Sequence, residues 1–371
     1  MLIAAAVAVI AGGTVVAVAA SSGTGTPPPP TTLADAVHQA LTAPQPDGVT
    51  ADVTYTNNLF PSGALFGNTG SALISGASGR LWLTNDGRGR IELQSESGDV
   101  QIVWSPTEVT VFDMSSNTVY KLALPPSSDQ SQTQTPPTLA DVQDFLTKLA
   151  EYYDISGPTP TVVADQPAYA ATLSPKEAGS LLDSVRIAWD AQQGVPLEAG
   201  VYATGSAAPA LELAVNHISY GAVADADVDI VPPSDAKVVD LGTAATSPYS
   251  GSTSTPITGL AAVEAAADFS VVAPDSVAGR SLTQARLVGD RVVLVYGDNP
   301  GAIVVIEHKS DSMQTSGMLS ALPKVDVNGA TGHELSTELG TAITWENNGV
   351  GFVLVGSVPA ATAESAAQDV K

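Results

Sequence analysis

From Arg80 to Leu124 the chain alternates. Leu81 and Leu83, Ile91 and Leu93, Val100 with Ile102 and Trp104, Val109 and Val111, and Tyr120 with Leu122 and Leu124 each stand two residues apart. A helix would scatter such a set around its circumference, whereas a strand puts every member on one face. The runs are separated by Asn85-Asp86-Gly87, Glu96-Ser97-Gly98-Asp99, Ser105-Pro106-Thr107 and Ser115-Ser116-Asn117. Each can reverse the chain, because Gly supplies positive φ, Pro presets φ, and Asn or Asp tolerates the left-handed region. Five strands joined by short reversals predict an antiparallel meander with one apolar face.

Before the meander, Thr32 is placed to cap a helix, with Asp35 in the capping-box position. Leu33, Ala36, Val37, Ala40 and Leu41 share its face and Pro44 stops it. A strand follows over 47–60, with Val49, Val53 and Tyr55 pointing inward, and then a Gly/Pro-rich loop at 61–70. Beyond the meander, PPSSDQSQTQTPP is low in complexity and has no apolar anchor. It leads to a second Thr-Leu-Ala-Asp at Thr138–Asp141, and a helical stripe of Leu139, Val142, Phe145, Leu146, Leu149 and Tyr153. Set between two runs of strand, this helix could lie across the sheet as a lid. Ordinary helix-on-sheet packing produces the same pattern.

Strand signals resume at 161–163, 168–173, 184–190, 197–204 and 211–220, with Gly194-Val195-Pro196 as a turn. Residues 243–258 read as a linker by composition, so residues 32–242 form one domain and 259–371 a smaller one. In the second, Gly289-Asp290 and Asn348-Gly349 each join two apolar runs. The Asn-Gly pair is the strongest short hairpin signal of the chain. The expected class is α+β.

The net charge of −24, from 38 acidic and 14 basic residues, opposes a phosphate backbone, and no Lys/Arg cluster offsets it. No nucleic-acid partner is expected. Hydrophobic residues make up 44% but aromatics only 5%, so the cores are built from small and β-branched side chains. With no cysteine there is no disulfide, thiolate metal site, Cys nucleophile or lipidated N-terminal Cys. Residues 1–20 are uncharged and apolar, long enough to cross a bilayer as a helix, and 21–31 form a Pro-rich tether. Ala17-Val18-Ala19 would also serve as a small-residue cleavage site, although no Lys or Arg precedes Arg80. The expectation is a signal anchor or signal peptide, and an extracytoplasmic protein either secreted or attached to a membrane through residues 1–20.

The usual chemistry is missing from the sequence. His38, His217, His308 and His333 lie far apart, with no i,i+4 pair. Asp225, Asp227 and Asp229 alternate like calcium ligands, but Ile230 stands where a calcium loop needs Gly and Ala236 where it needs Glu. A solvated strand face accounts better for them. Gly87-x-Gly89 reads as a hairpin turn, and neither Gly-x-Ser-x-Gly nor Gly-Lys-Ser/Thr occurs. No catalytic residue, cofactor or metal site is expected, and the protein is not read as an enzyme.

The segments VWSPTEVTVFDMSSNTVYKLALPP, VRIAWDAQQGVPLEAGVYATG and ISYGAVADADVDIVPPSDAKVVDL, taken in order after an N-terminal helix and a long strand, resemble the lipoprotein-carrier (LolA-like) and sigma-E regulator (RseB-like) superfamily over about residues 31–241. Residues from about 260 are similar to a C-terminal domain of unknown function in envelope-associated proteins, through Phe269–Gly279, Tyr296-Gly297, Val327-Asn328-Gly329 and Thr344–Asn347. The resemblance implies a half-open antiparallel β-barrel with covering helices over an apolar cavity, followed by a smaller α+β domain with its own antiparallel sheet. It implies binding of a lipid or lipoprotein acyl chain, or a sensor role with an envelope protein partner. Two departures bear on lipoprotein hand-off: there is no lipobox cysteine, and no Arg matches a release-triggering residue. On this reading a curved sheet presents Leu81, Leu83, Ile91, Leu93, Val100, Ile102, Val111, Leu122, Ile187, Trp189, Val201 and Leu213 to the ligand. The helix at 139–153 covers them through Leu139, Val142, Phe145, Leu146 and Leu149.

Overall fold

The computed structural model describes residues 25–59, 72–124, 136–176, 178–243, 257–298, 300–310 and 322–371. The apolar segment 1–20, the loop at 61–70, most of the low-complexity stretch after Leu124 and most of the expected linker lie outside the described residues. The chain forms two compact units; among the described residues, Leu59 and residues 178–182 cluster with the second although they lie within the span of the first.

The first unit begins with α1 (Leu33–Thr42), whose Thr32 hydroxyl accepts the Asp35 N–H at 3.1 Å. Then come β1 (Gly48–Asn57), a single turn α2 (Ala72–Ser75), and the meander β2 (Ala77–Thr84), β3 (Gly89–Gln94), β4 (Val100–Trp104), β5 (Glu108–Asp113) and β6 (Thr118–Ala123). Next are α3 (Leu139–Leu149), β7 (Tyr153–Val163), β8 (Gln166–Pro175), β9 (Leu182–Asp190), β10 (Pro196–Ala203), β11 (Pro209–Tyr220) and β12 (Lys237–Thr243). All twelve strands make one sheet in the order β12-β6-β5-β4-β3-β2-β1-β11-β10-β9-β8-β7. Its two ends do not pair, so the sheet is open, as expected of a half-barrel.

The meander is antiparallel as the alternation predicts, and its register carries one apolar row across six strands. Ala51 lies opposite Leu81, Leu81 opposite Ile91, Ile91 opposite Ile102, Ile102 opposite Val111, and Val111 opposite Tyr120. Paired residues share a face, so the period-2 pattern becomes a continuous surface.

Three local expectations are corrected. The helix at 139 ends at Leu149, where the Ala150 N–H caps the Leu146 carbonyl; Tyr153 instead opens β7 and pairs with Pro175. The ladder that this eleven-residue strand forms with β8 outweighs one more helical turn. The closing strand β12 runs parallel to β6, since the chain crosses the sheet before joining its edge. Asp225–Asp227 is a 3-10 turn in that crossing, not part of a strand face.

The second unit contains β13 (Ile257–Thr258), α4 (Leu260–Ala266), β14 (Ser276–Val277), β15 (Arg280–Val288), β16 (Arg291–Tyr296), β17 (Ile303–Lys309), β18 (Lys324–Val327), β19 (Ala330–Thr337), β20 (Gly340–Asn347), β21 (Val350–Gly356) and α5 (Ala360–Asp369). β13 falls inside the stretch read as linker, where it pairs with β15. The sheet order is β13-β15-β16-β17-β21-β20-β19-β18, with β14 on β15. Asn348 (φ 50°) and Gly349 (φ 79°) form a two-residue reversal between β20 and β21, with Asn347 opposite Val350. Both central residues have positive φ, which is why Asn-Gly suits this turn.

Candidate functional site

The apolar row of the meander is the first candidate. Ile91, Leu93 and Val100 are buried in its floor, and Leu81, Leu83, Ile102, Val111 and Leu213 pack against the same cluster while staying partly exposed. Trp104 closes one end of the row. A Cβ on Gly89 would lie 2.2 Å from the indole, so the ring can rest there only because residue 89 is glycine. Leu122 and Val201 are also partly exposed and fall outside the clusters of buried residues.

The structure does not bring all twelve expected lining residues together. Ile187 and Trp189 pack with Tyr169 and Ala171 beneath Leu33, Ala36, Val37 and Ala40 of α1. Their strand neighbours Ala170 and Ala188 belong instead to the cluster of the meander. Adjacent residues of a strand point to opposite faces, so β8 and β9 are buried on both sides and the apolar set is split between them.

α3 has a complete capping box: the Thr138 N–H donates to the Asp141 carboxylate at 2.8 Å, and the Asp141 N–H donates to the Thr138 hydroxyl at 3.2 Å. The Thr138 hydroxyl, which donates to the Asp141 carboxylate at 2.7 Å, and then the Thr138 N–H hold this exposed carboxyl below its ordinary pKa. The principal neighbour of α3 is α1. Val142 and Leu146 are buried, Leu139 and Leu149 partly so, and Phe145 is 49% exposed.

Trp189-Asp190 and the turn Gly194-Val195-Pro196, both within the segment VRIAWDAQQGVPLEAGVYATG, form a clasp. One Asp190 carboxylate oxygen accepts the N–H groups of Gln192 and Gln193 at 2.7 and 2.9 Å, and the other accepts the Tyr220 hydroxyl at 2.6 Å. Burial, with Asp190 adding to it, raises the pKa of that phenol. Gly194 sits at φ 68°, and a Cβ there would come within 2.3 Å of the Ala40 carbonyl oxygen of α1. The motif joins a hairpin, β11 and a helix, which is a structural role.

The opposite face of the meander is polar at one end and strapped at the other. Arg80 and Arg90 lie over the Trp82 ring, 5.8 and 5.5 Å from its centre, and Arg80 pairs with Asp52 at 3.1 Å. The chain from Gly221 to Ala236 then crosses the face. Arg88 holds Asp225 at 2.6 Å, Arg90 donates to the Asp229 carbonyl at 3.1 Å, Asn117 donates to Asp235 at 3.2 Å, and Val228 is buried. Between this strap and β4–β6 lies a cleft of about 430 Å³. Alternating side chains did not announce it, because the strap is joined to the sheet by arginines far away in sequence.

In the second unit, Glu307 is wholly buried. One carboxylate oxygen accepts the Val272 N–H at 3.1 Å and the other has no partner. Burial raises its pKa to about 7, against the lowering effect of that hydrogen bond. The Tyr296 hydroxyl, buried without a partner, is raised by burial and then by Glu307. His217 is exposed on β11, and among the described residues no group of three or more His, Asp or Glu side chains could hold a metal ion. No described helix is long and apolar enough to cross a membrane.

No family model matches the chain, and no curated protein matches it. Among solved structures it is similar to MucB of Pseudomonas aeruginosa in its complex with MucA, at 15% identity and TM-score 0.44, over 90% of this chain and 96% of that one. It is similar to an uncharacterized conserved protein from Thermus thermophilus, at 12% identity and TM-score 0.34, over 56% of this chain and 95% of the other. A LolA superfamily protein from Nitrosomonas europaea aligns at 11% identity and TM-score 0.22, over 54% and 98% respectively. All three scores lie below 0.5, so a functional reading has to stand on the side chains described above.

Proposed function

We propose that this chain is a non-enzymatic, extracytoplasmic binding protein of the LolA-like and RseB-like type, whose first unit shelters an acyl chain of a lipid or lipoprotein. The observation that carries the reading is the apolar row from Ala51 to Tyr120, whose members Leu81, Ile102, Val111 and Tyr120 stay partly exposed. Covering such a row with hydrocarbon contributes about 0.8 kcal/mol per buried CH₂, with no polar chemistry needed. Residues 1–20 would export or tether the protein. α3 packs on α1, so on this reading it would have to swing over the row, and Phe145, apolar and half exposed, is the side chain with which it would close on the ligand.

Native mass spectrometry of protein purified from its host tests the proposal. The expected result is a co-purifying lipid, retained less well by Phe145→Asp at unchanged thermal stability. A bare chain that also fails to bind a fluorescent fatty acid would overturn it. In the alternative reading, a regulatory module contacts a protein partner; the exposed Val231, Val238 and Leu241 of the strap and β12 favour it.

A further inference from the structure

Among the described residues β12 pairs only with β6, so its other edge is open. The Lys237 N–H donates inward to the Asn117 carbonyl at 2.9 Å. Backbone groups of successive strand residues point to alternate sides, so the N–H and C=O groups of Val238 and Asp240 face outward. The rim at the other end of the sheet is blunted, since β7 carries Pro158 and Pro160, which have no N–H to offer. β12, with the sequence KVVDLGT, has no proline.

Beside this open rim lies the cleft of about 430 Å³, with Val103, Val119, Val238 and the Pro232-Pro233 pair among its walls. Large apolar side chains concentrate here: Val231 is 93% exposed, Val238 60% and Leu241 53%. Carboxylates outnumber cationic groups by one around the cleft and rim, with Glu108, Asp229, Asp235 and Asp240 against Lys121, Lys237 and Arg90, and Glu108 is paired with Lys121 at 3.6 Å. The chain as a whole carries −24.

We propose that an extended segment of a partner protein, with apolar anchors and a net positive charge, adds to β12 as a further strand and seats its apolar side chains in this cleft. Main-chain hydrogen bonds along the rim supply affinity and the cleft supplies selectivity. The acidic surroundings speed encounter with a basic segment. This surface lies on the face opposite the apolar row, so it stands or falls separately from acyl-chain binding.

The test uses the full chain and a fluorescent eight-residue peptide of alternating valine and lysine, with a valine–glutamate peptide as control, at physiological salt. The valine–lysine peptide should bind, the control should not, and amide exchange at Val238 and Asp240 of β12 should slow on binding. Val238→Pro removes one outward donor and leaves the inward bonds to β6, so it should weaken binding about tenfold without changing lipid retention. Val238→Lys keeps the backbone donor but places a like charge in the cleft. It should have a similar effect, and it serves if the proline variant unfolds. Equal binding of the control, unchanged binding by a folded Val238 variant, or Val238 and Asp240 amides already protected in the free chain would each overturn the proposal.

Discussion

In the second unit the apolar face of the sheet is sealed. Val292, Leu294, Tyr296, Ile303, Val305, Ile343 and Leu354 are fully buried, and so are Ala363, Ala366 and Ala367 of α5. In the first unit the corresponding row keeps Leu81, Leu83, Ile102 and Val111 partly exposed. The strand alternation is the same in both, so the difference lies in what covers it. α5 presents alanines, which let a helix lie close on a sheet and exclude water. α1 and α3 pack on each other, and α1 spends its apolar face on Tyr169, Ile187 and Trp189. An unsealed row costs stability, and a protein that retains one keeps surface available for a ligand.

The contrast can be broken most strongly in the cores. Leu354→Ala should destabilise the second unit by about 3–5 kcal/mol, whereas Leu83→Ala should cost the first only about 1 kcal/mol, because that side chain has less burial to lose. Urea unfolding followed by hydrogen exchange in each unit checks this; equal losses would refute the distinction between sealed and open faces.

Glu307 makes the sealed core sensitive to pH. Its folded-state pKa, about 7, lies above the ordinary 4.5. The folded state therefore holds the proton more tightly, and the stability that Glu307 contributes is fully present below about pH 4.5. That stability declines as pH rises through 7, by about 3 kcal/mol in all. Glu307→Gln should abolish the slope and raise stability at neutral pH. Melting curves between pH 4.5 and 8 decide it, and a variant with an unchanged slope would place the titration elsewhere.

A fatty acid at a hundred times its dissociation constant should stabilise the first unit by about 2.7 kcal/mol and leave the second unmoved. Exchange protection rising equally in both units would contradict a site confined to the open row. Thr138→Ala should cost α3 about 1 kcal/mol, read as faster exchange over 139–149. The smallest effect is expected at Ala164, held at φ 50° in the reversal between β7 and β8. Ala164→Gly should gain about 0.5 kcal/mol in thermal unfolding, since relief of left-handed strain exceeds the added chain entropy.

Much of the fold was legible because it depends on neighbours in sequence. The reversals at Asn85–Gly87, Gly289-Asp290 and Asn348-Gly349, the caps at Thr32 and Thr138, and the period-2 rows all act within a few residues. What escaped reading depends on distant partners. The parallel placement of β12 follows from a strap whose anchors, Arg88–Asp225 and Asn117–Asp235, span more than a hundred residues. Asp225, Asp227 and Asp229 looked like a strand face because nothing local marks a 3-10 turn. Ile187 and Trp189 shared the period of the meander, yet periodicity cannot say which face of a doubly buried strand meets which layer.

By itself, the sequence determined that this chain would form antiparallel sheets of small β-branched residues, with capped helices between them and no cysteine to brace them. Those outcomes are set by side-chain volume, φ preference and hydrogen bonds across a few residues. Only the tertiary structure decided which apolar row would be sealed and which left open, and that β12 would end the sheet beside a cleft. Coverage is a property of two surfaces meeting, and no single stretch of chain encodes both.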